Sequence, residues 1–101
     1  MQVECRTFQF LLYNVYMYYV YLLKNQKNKI YFGYTSDLKR RVEEHNVGKS
    51  PYTSIRGPWT LVYYEAFKSE KDAKIREKML KHDGRGLGHL KKRIQSSINE
   101  D

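Results

Sequence analysis

Apolar and polar positions change their period along the chain. Residues 18–23 are aromatic, β-branched or leucine, a composition that favours a strand. Residues 24–28 (Lys-Asn-Gln-Lys-Asn) are polar and rich in turn formers, and residues 29–34 return to aromatic and branched side chains. Together 18–34 predict a β-hairpin. A helical period follows. Leu38 and Val42, four apart, mark one buried stripe. Thr35 or Ser36 is the expected cap, with Asp37 at the positive end of the helix dipole. Asn46 is the expected last residue and Gly48 the stop signal.

Residues 48–58 carry Gly and Pro punctuation and predict a loop. Residues 59–67 predict a third strand. Ser69 is expected to cap a second helix reaching about Lys81, with Asp72 in a capping-box-like place. Gly84, Gly86 and Gly88 are expected to break the chain, and residues 88–98 to form a third, basic helix. This order predicts an α/β (α+β) fold, a small three-stranded, mainly antiparallel sheet flanked by two or three helices. The expected division is an extension over 1–16, a domain over 17–94 and a tail over 95–101.

A chain of 101 residues allows one modest core. Residues 8–23 are nearly all apolar, yet the stretch is short for a membrane span, which needs about 20 residues. No small-residue cleavage site follows it, so neither an anchor nor a signal peptide is expected, and an extra strand or a loose extension is. Cys5 is the single cysteine, which excludes an internal disulfide and a cysteine-based zinc site and suits a reducing cytoplasm. The net charge of +8 favours a polyanionic partner, nucleic acid first. Lys81, Arg85, Lys91, Lys92 and Arg93 crowd one segment against Asp83 alone, as a phosphate-tracking surface or a solvated helix face.

Arg41 and His45 stand four apart along the edge of the first helix's apolar stripe. They suit the wall of a cleft; the plainer reading is a snorkelling arginine and a satisfied boundary histidine. Tyr21 and Tyr31 are ten apart, and a turn of odd length, such as 24–28, sets them directly opposite with both phenols on one face. A phenol has a pKa of about 10 and is a weak base at neutral pH. A nearby arginine favours the phenolate, which can take a proton from water. The plainer reading is an aromatic sheet core. Glu77 shares a stripe with Ala73 and Leu80, which suits a lone carboxylate on a Mg²⁺ ion or a salt bridge with Arg76, Lys78 or Lys81.

Taken together, Tyr-Val-Tyr (19–21), Tyr-Phe-Gly (31–33), Arg41, His45 and Glu77 within Arg-Glu-Lys (76–78) resemble the GIY-YIG nuclease domain. The resemblance covers residue 17 to about 82 and extends through the basic segment to 94. It is nearest to small stand-alone bacterial members, similar to the nuclease module of the excision-repair incision subunit. The chain departs from the pattern at Tyr19, where the family name has Gly, and at Tyr34, where repair-type members carry lysine.

The resemblance implies metal-dependent hydrolysis of DNA phosphodiester bonds, structure-selective and in repair or recombination, by a cytoplasmic, nucleoid-associated protein. Tyr21 or Tyr31 would act as general base or position the water, Arg41 would neutralise the scissile phosphate, and His45 would assist proton transfer or hold the phosphate. Glu77 would bind one Mg²⁺ or Mn²⁺ ion, and Gly33 would allow close packing at the end of the second strand. Lys39, Arg40, Lys49, Arg56, Lys91, Lys92 and Arg93 fit phosphate contacts without sequence preference. No separate recognition domain is evident, so a protein partner would supply specificity. The alternative is a nucleic-acid-binding module of the same fold without catalysis. The metal role of Glu77 requires it to fold back to the cleft of the other four.

Overall fold

The sheet of the computed structural model, which describes residues 16–82 and 84–100, has the order β2-β1-β3. Both pairings of β1 (Tyr18–Lys24), with β2 (Ile30–Thr35) and β3 (Thr60–Phe67), are antiparallel. The central position of β1 explains its unbroken apolar run. Val20, Tyr21, Leu22 and Leu23 are all buried, because helices cover both faces of the sheet. The even face joins Val20 and Leu22 to Ala73 and Leu80 of α3 (Glu70–His82) and Leu90 of α4 (Gly84–Arg93). The odd face joins Tyr21 and Leu23 to Trp59, with Tyr31, Leu61 and the Leu38–Val42 stripe of α1 (Leu38–Asn46) against them. The α+β architecture is the one expected.

The hairpin register differs from expectation by one step. Lys24 still pairs with Ile30, so the turn is residues 25–29 rather than 24–28. Asn25 shapes it: its Oδ1 accepts from the backbone N–H of Lys27 at 3.0 Å and of Lys29 at 2.8 Å. Moving a turn of odd length by one residue moves the pairing by two. Tyr21 therefore faces Gly33, and Tyr31 faces Leu23. The two phenols share a face, as expected, but lie diagonally rather than directly opposite.

Three further expectations are corrected. The cap of α1 is Asp37, whose carboxylate accepts from Arg40 N at 3.2 Å, while Thr35 Oγ1 accepts from Asp37 N at 3.0 Å. The segment read as loop contains a short helix, α2 (Pro51–Ser54), which opens on a proline because its fixed φ suits the first helical position. The glycines do not break the chain, since α4 starts at Gly84 and continues through Gly88. Each helical glycine costs roughly 1 kcal/mol relative to alanine, and burial of Leu90 in the even-face core offsets that cost. A last helix, α5 (Gln95–Asn99), follows α4, and Lys24 Nζ donates to its Ile98 carbonyl at 2.5 Å. Gly48 ends α1 at φ +86° and Ser69 Oγ accepts from Asp72 N at 3.4 Å, both as anticipated. The expected extra strand or extension before residue 16, and Cys5, lie outside the described residues. Among those described, no helix is long and apolar enough to cross a membrane.

Candidate active site

Tyr21 lies at the centre of the odd face, and its ring crosses Gly33 on the neighbouring strand. A Cβ at Gly33 would stand 2.5 Å from the Tyr21 hydroxyl and 2.8 Å from Cζ. Only glycine leaves room for the phenol. Its hydroxyl then reaches Nε2 of His45 at 2.8 Å. His45, in the last turn of α1, is fully buried, and its Nδ1 lies 2.7 Å from Oγ1 of Thr53 on α2. Thr53 is itself held from behind, since its carbonyl accepts from Trp59 Nε1 at 2.9 Å. Asn46 completes the frame by gripping Trp59 twice, accepting from its N–H at 2.7 Å and donating to its carbonyl at 3.0 Å. A buried chain Tyr21–His45–Thr53 results. With the proton on Nδ1, His45 donates to Thr53 and accepts from Tyr21; the other tautomer reverses both bonds.

Tyr31 closes the opposite side. Its ring meets His45 edge-on at 4.9 Å, tilts against Tyr21 at 6.5 Å and stacks on Tyr52 at 5.7 Å. Arg41, one turn before His45, pairs with Glu44 at 3.0 Å.

The charges set the resting proton distribution. Burial, then the neighbouring Tyr31 phenol, push the Tyr21 pKa up to about 12, against the pull of Arg41. Burial, then the Arg41 charge, hold His45 below the ordinary imidazole range. Burial works against the Arg41 charge, but the Glu44 carboxylate and the Tyr21 phenol outweigh it and raise its pKa. At neutral pH a neutral imidazole therefore sits beside a protonated phenol and a fixed cation.

A GIY-YIG catalytic domain model matches residues 17–94. The chain belongs to the GIY-YIG family. A UPF0213 protein of Clostridium perfringens is 42% identical over 66 residues, 64% of this chain and 71% of that one. A UPF0213 protein of Staphylococcus haemolyticus is 43% identical over 65 residues, 63% of this chain and 79% of that one. The solution structure of a UPF0213 protein from Bacillus halodurans is 39% identical, covers 73% of this chain and 81% of its own, and superposes with a TM-score of 0.48. Membership carries a nuclease-type function with DNA as substrate, and GIY-YIG nucleases generally use a divalent metal ion.

Four of the residues singled out in this GIY-YIG domain, Tyr21, Tyr31, Arg41 and His45, share one face. Glu77 stands on α3, whose Ala73 and Leu80 pack on the other face. Its carboxylate is paired with Lys81 at 3.1 Å, and among the described residues it makes no hydrogen bond to the four. Its charge adds only the smallest of the upward pushes on Tyr21, behind burial and Tyr31, and on Tyr34, behind the Glu70 hydrogen bond and burial. As for a metal, no group of three or more His, Cys, Asp or Glu converges among the described residues. The donor set is thus one hard carboxylate, which fits a Mg²⁺-type ion held mainly by phosphate and water once Lys81 moves aside.

The candidate phosphate contacts divide between the layers. Lys39, Arg40, Lys49 and Arg56 are exposed on the α1–α2 side, with Arg40 between Asp37 and Glu44, each at 3.8 Å. Lys91, Lys92 and Arg93 are exposed at the end of α4, in the other layer. Residue patterns did not point to Thr53, Trp59 or Asn46. The Gly/Pro punctuation around them marked a loop, and only the closure of that loop onto α1 brings Thr53 to His45.

Proposed function

We propose that this chain is a Mg²⁺- or Mn²⁺-dependent DNA endonuclease acting in repair or recombination, with Tyr21 as the proton-accepting phenol. The observation that carries the reading is the buried Tyr21–His45 hydrogen bond at 2.8 Å beside Arg41. A phenol with a pKa of about 12 is a poor base alone. With neutral His45 accepting its proton, the Tyr21 oxygen can take a proton from water as that water attacks phosphorus. The phosphorus–oxygen bond to the leaving group breaks, and the proton from Tyr21 resides on His45 Nε2.

Thr53 is a positioning residue that orients the His45 ring and accepts from Nδ1–H in the tautomer able to take the phenol proton. Arg41 exchanges Glu44 for the scissile phosphate, and Tyr31 packs His45 in place. Glu77 would hold the ion, which when bound supplies Lewis-acid stabilisation of the phosphate charge.

Purified protein is expected to nick supercoiled or branched DNA with Mg²⁺ or Mn²⁺ and not in EDTA. Tyr21→Phe should lower nicking by roughly 10²–10⁴-fold, the range for loss of a general acid–base group, while DNA binding persists. Glu77→Ala should remove the metal response. Equal activity in both variants points to a contaminating nuclease and ends the proposal. A second reading, nucleic-acid binding without cleavage, draws on the Glu77–Lys81 pairing at 3.1 Å. Absence of nicking with bound DNA and either metal selects it.

A further inference from the structure

Outside the hydrolytic cluster, one surface combines stacked rings, exposed apolar side chains and a concentration of positive charge. Tyr52 of α2 is half exposed and stacks on Tyr31 with the rings 5.7 Å apart at 27°. The Arg56 guanidinium lies over the Tyr52 ring, 4.1 Å from its centroid, and Nη1 donates to the Tyr52 carbonyl at 2.6 Å. The sequence Tyr31–Tyr52–Arg56 thus runs outward from the candidate active site to an exposed planar cation. Ile55 beside it is 80% exposed, more than a solitary packing role would leave.

Arg56 and Ile55 form one wall of a groove whose other wall is the hairpin turn, with Lys27 and Lys29. Asn25 Nδ2 donates to the Arg56 carbonyl at 3.0 Å, so the two walls are tied together before any ligand arrives. No acidic residue occurs in 18–36 or in 45–64, the two segments that build this surface. A solvated surface patch would not need a cation flattened on a ring, nor an aliphatic side chain left in water beside it.

We infer that this groove binds an unpaired nucleotide strand, with a base stacked on the Arg56–Tyr52 platform and against Ile55, and phosphates on Lys27 and Lys29. Base-on-aromatic and base-on-guanidinium stacking in a basic groove is the chemistry of single-strand binding. A base pair inside a duplex cannot use the platform, because both its faces are already stacked. Because the platform is one ring away from Tyr31, the preferred substrate is DNA in which a single-stranded arm leaves a duplex next to the cut. This last step rests on the nuclease proposal; the binding site itself does not.

The test is binding in EDTA to a blunt duplex and to the same duplex with an unpaired arm carrying 2-aminopurine at the junction. Wild type should bind the armed DNA more tightly and quench the 2-aminopurine. Tyr52→Ala and Arg56→Ala should each lose about tenfold or more on the armed DNA, from the usual worth of one stacked base, together with the quench. Tyr52→Phe should keep both. On the blunt duplex, Arg56→Ala should cost no more than the phosphate control Lys49→Ala.

Equal wild-type affinity for the two DNAs, or parallel losses on both, overturns the inference. If the arm is bound and quenched but no DNA is nicked with either metal, the nuclease proposal fails and the site stands. If blunt and armed DNA are bound alike and nicked alike, the site fails and the nuclease proposal stands.

Discussion

Thr53 and Gly33 act on the same hydrogen bond from opposite ends. Gly33 makes room for the Tyr21 ring, and Thr53 fixes the imidazole that receives its hydroxyl. Their visibility in the sequence differs for a physical reason. Gly33 sits inside an aromatic strand, where a missing side chain is itself a signal of close approach. Thr53 is one hydroxyl among several in a Gly- and Pro-bounded loop, eight residues from its partner, with no period to mark it. Its role yields a pH prediction. His45 must be neutral to accept a proton, and its pKa is held below the ordinary value of about 6.5. Activity should therefore be retained at pH 7 and be lost only on acidification through that lowered pKa. Thr53→Val removes the acceptor for Nδ1–H, and the imidazolium loses more by this than the neutral ring. The acid limb of the pH–rate profile should move further down and the plateau should fall. Thr53→Ser should restore both. A plateau that falls with an unmoved limb would reduce Thr53 to packing.

Strands and helices were readable wherever one period ran long enough. β1, β2, α1 and α3 lie close to where the apolar pattern puts them. Register was harder, because both alternatives place Tyr21 and Tyr31 on one face and only the Asn25-centred turn chooses between them. The glycine-rich start of α4 misleads for a different reason. Local propensity argues against a helix there, and the tertiary burial of Leu90 decides for one. That contest can be measured. A Cβ at Gly88 meets nothing within 4 Å, and its φ is not positive. Gly88→Ala should therefore stabilise the protein by about 0.5–1 kcal/mol, the helical cost of glycine relative to alanine. Urea denaturation checks this. A neutral or destabilising effect would mean that the segment does not stay helical in solution.

At the scale of the whole molecule, the net charge of +8 was evident at once, but its partition was not. Assigning a lysine to a face requires knowing which layer its helix covers. Lys39, Lys49 and Arg56 belong to the layer of Tyr21, Arg41 and His45, whereas Lys91, Lys92 and Arg93 belong to the layer of Leu90. Arg93 also lies close enough to Glu65 to lower its pKa together with Arg76, so part of its charge is already balanced. A duplex lying across the tyrosine face should release counterions mainly through the first group. Each neutralised phosphate contributes about 0.9 to the slope of log K against log salt concentration. Replacing Lys39, Lys49 and Arg56 by alanine should therefore flatten the slope by about that amount for every phosphate left without its cation. Replacing Lys91, Lys92 and Arg93 should flatten it distinctly less, because those groups look away from the bound strand. Fluorescence anisotropy on one short duplex across a salt series separates the two. An equal flattening from both sets would mean that DNA wraps both layers, and a larger one from the α4 set would place the duplex on the face opposite Tyr21.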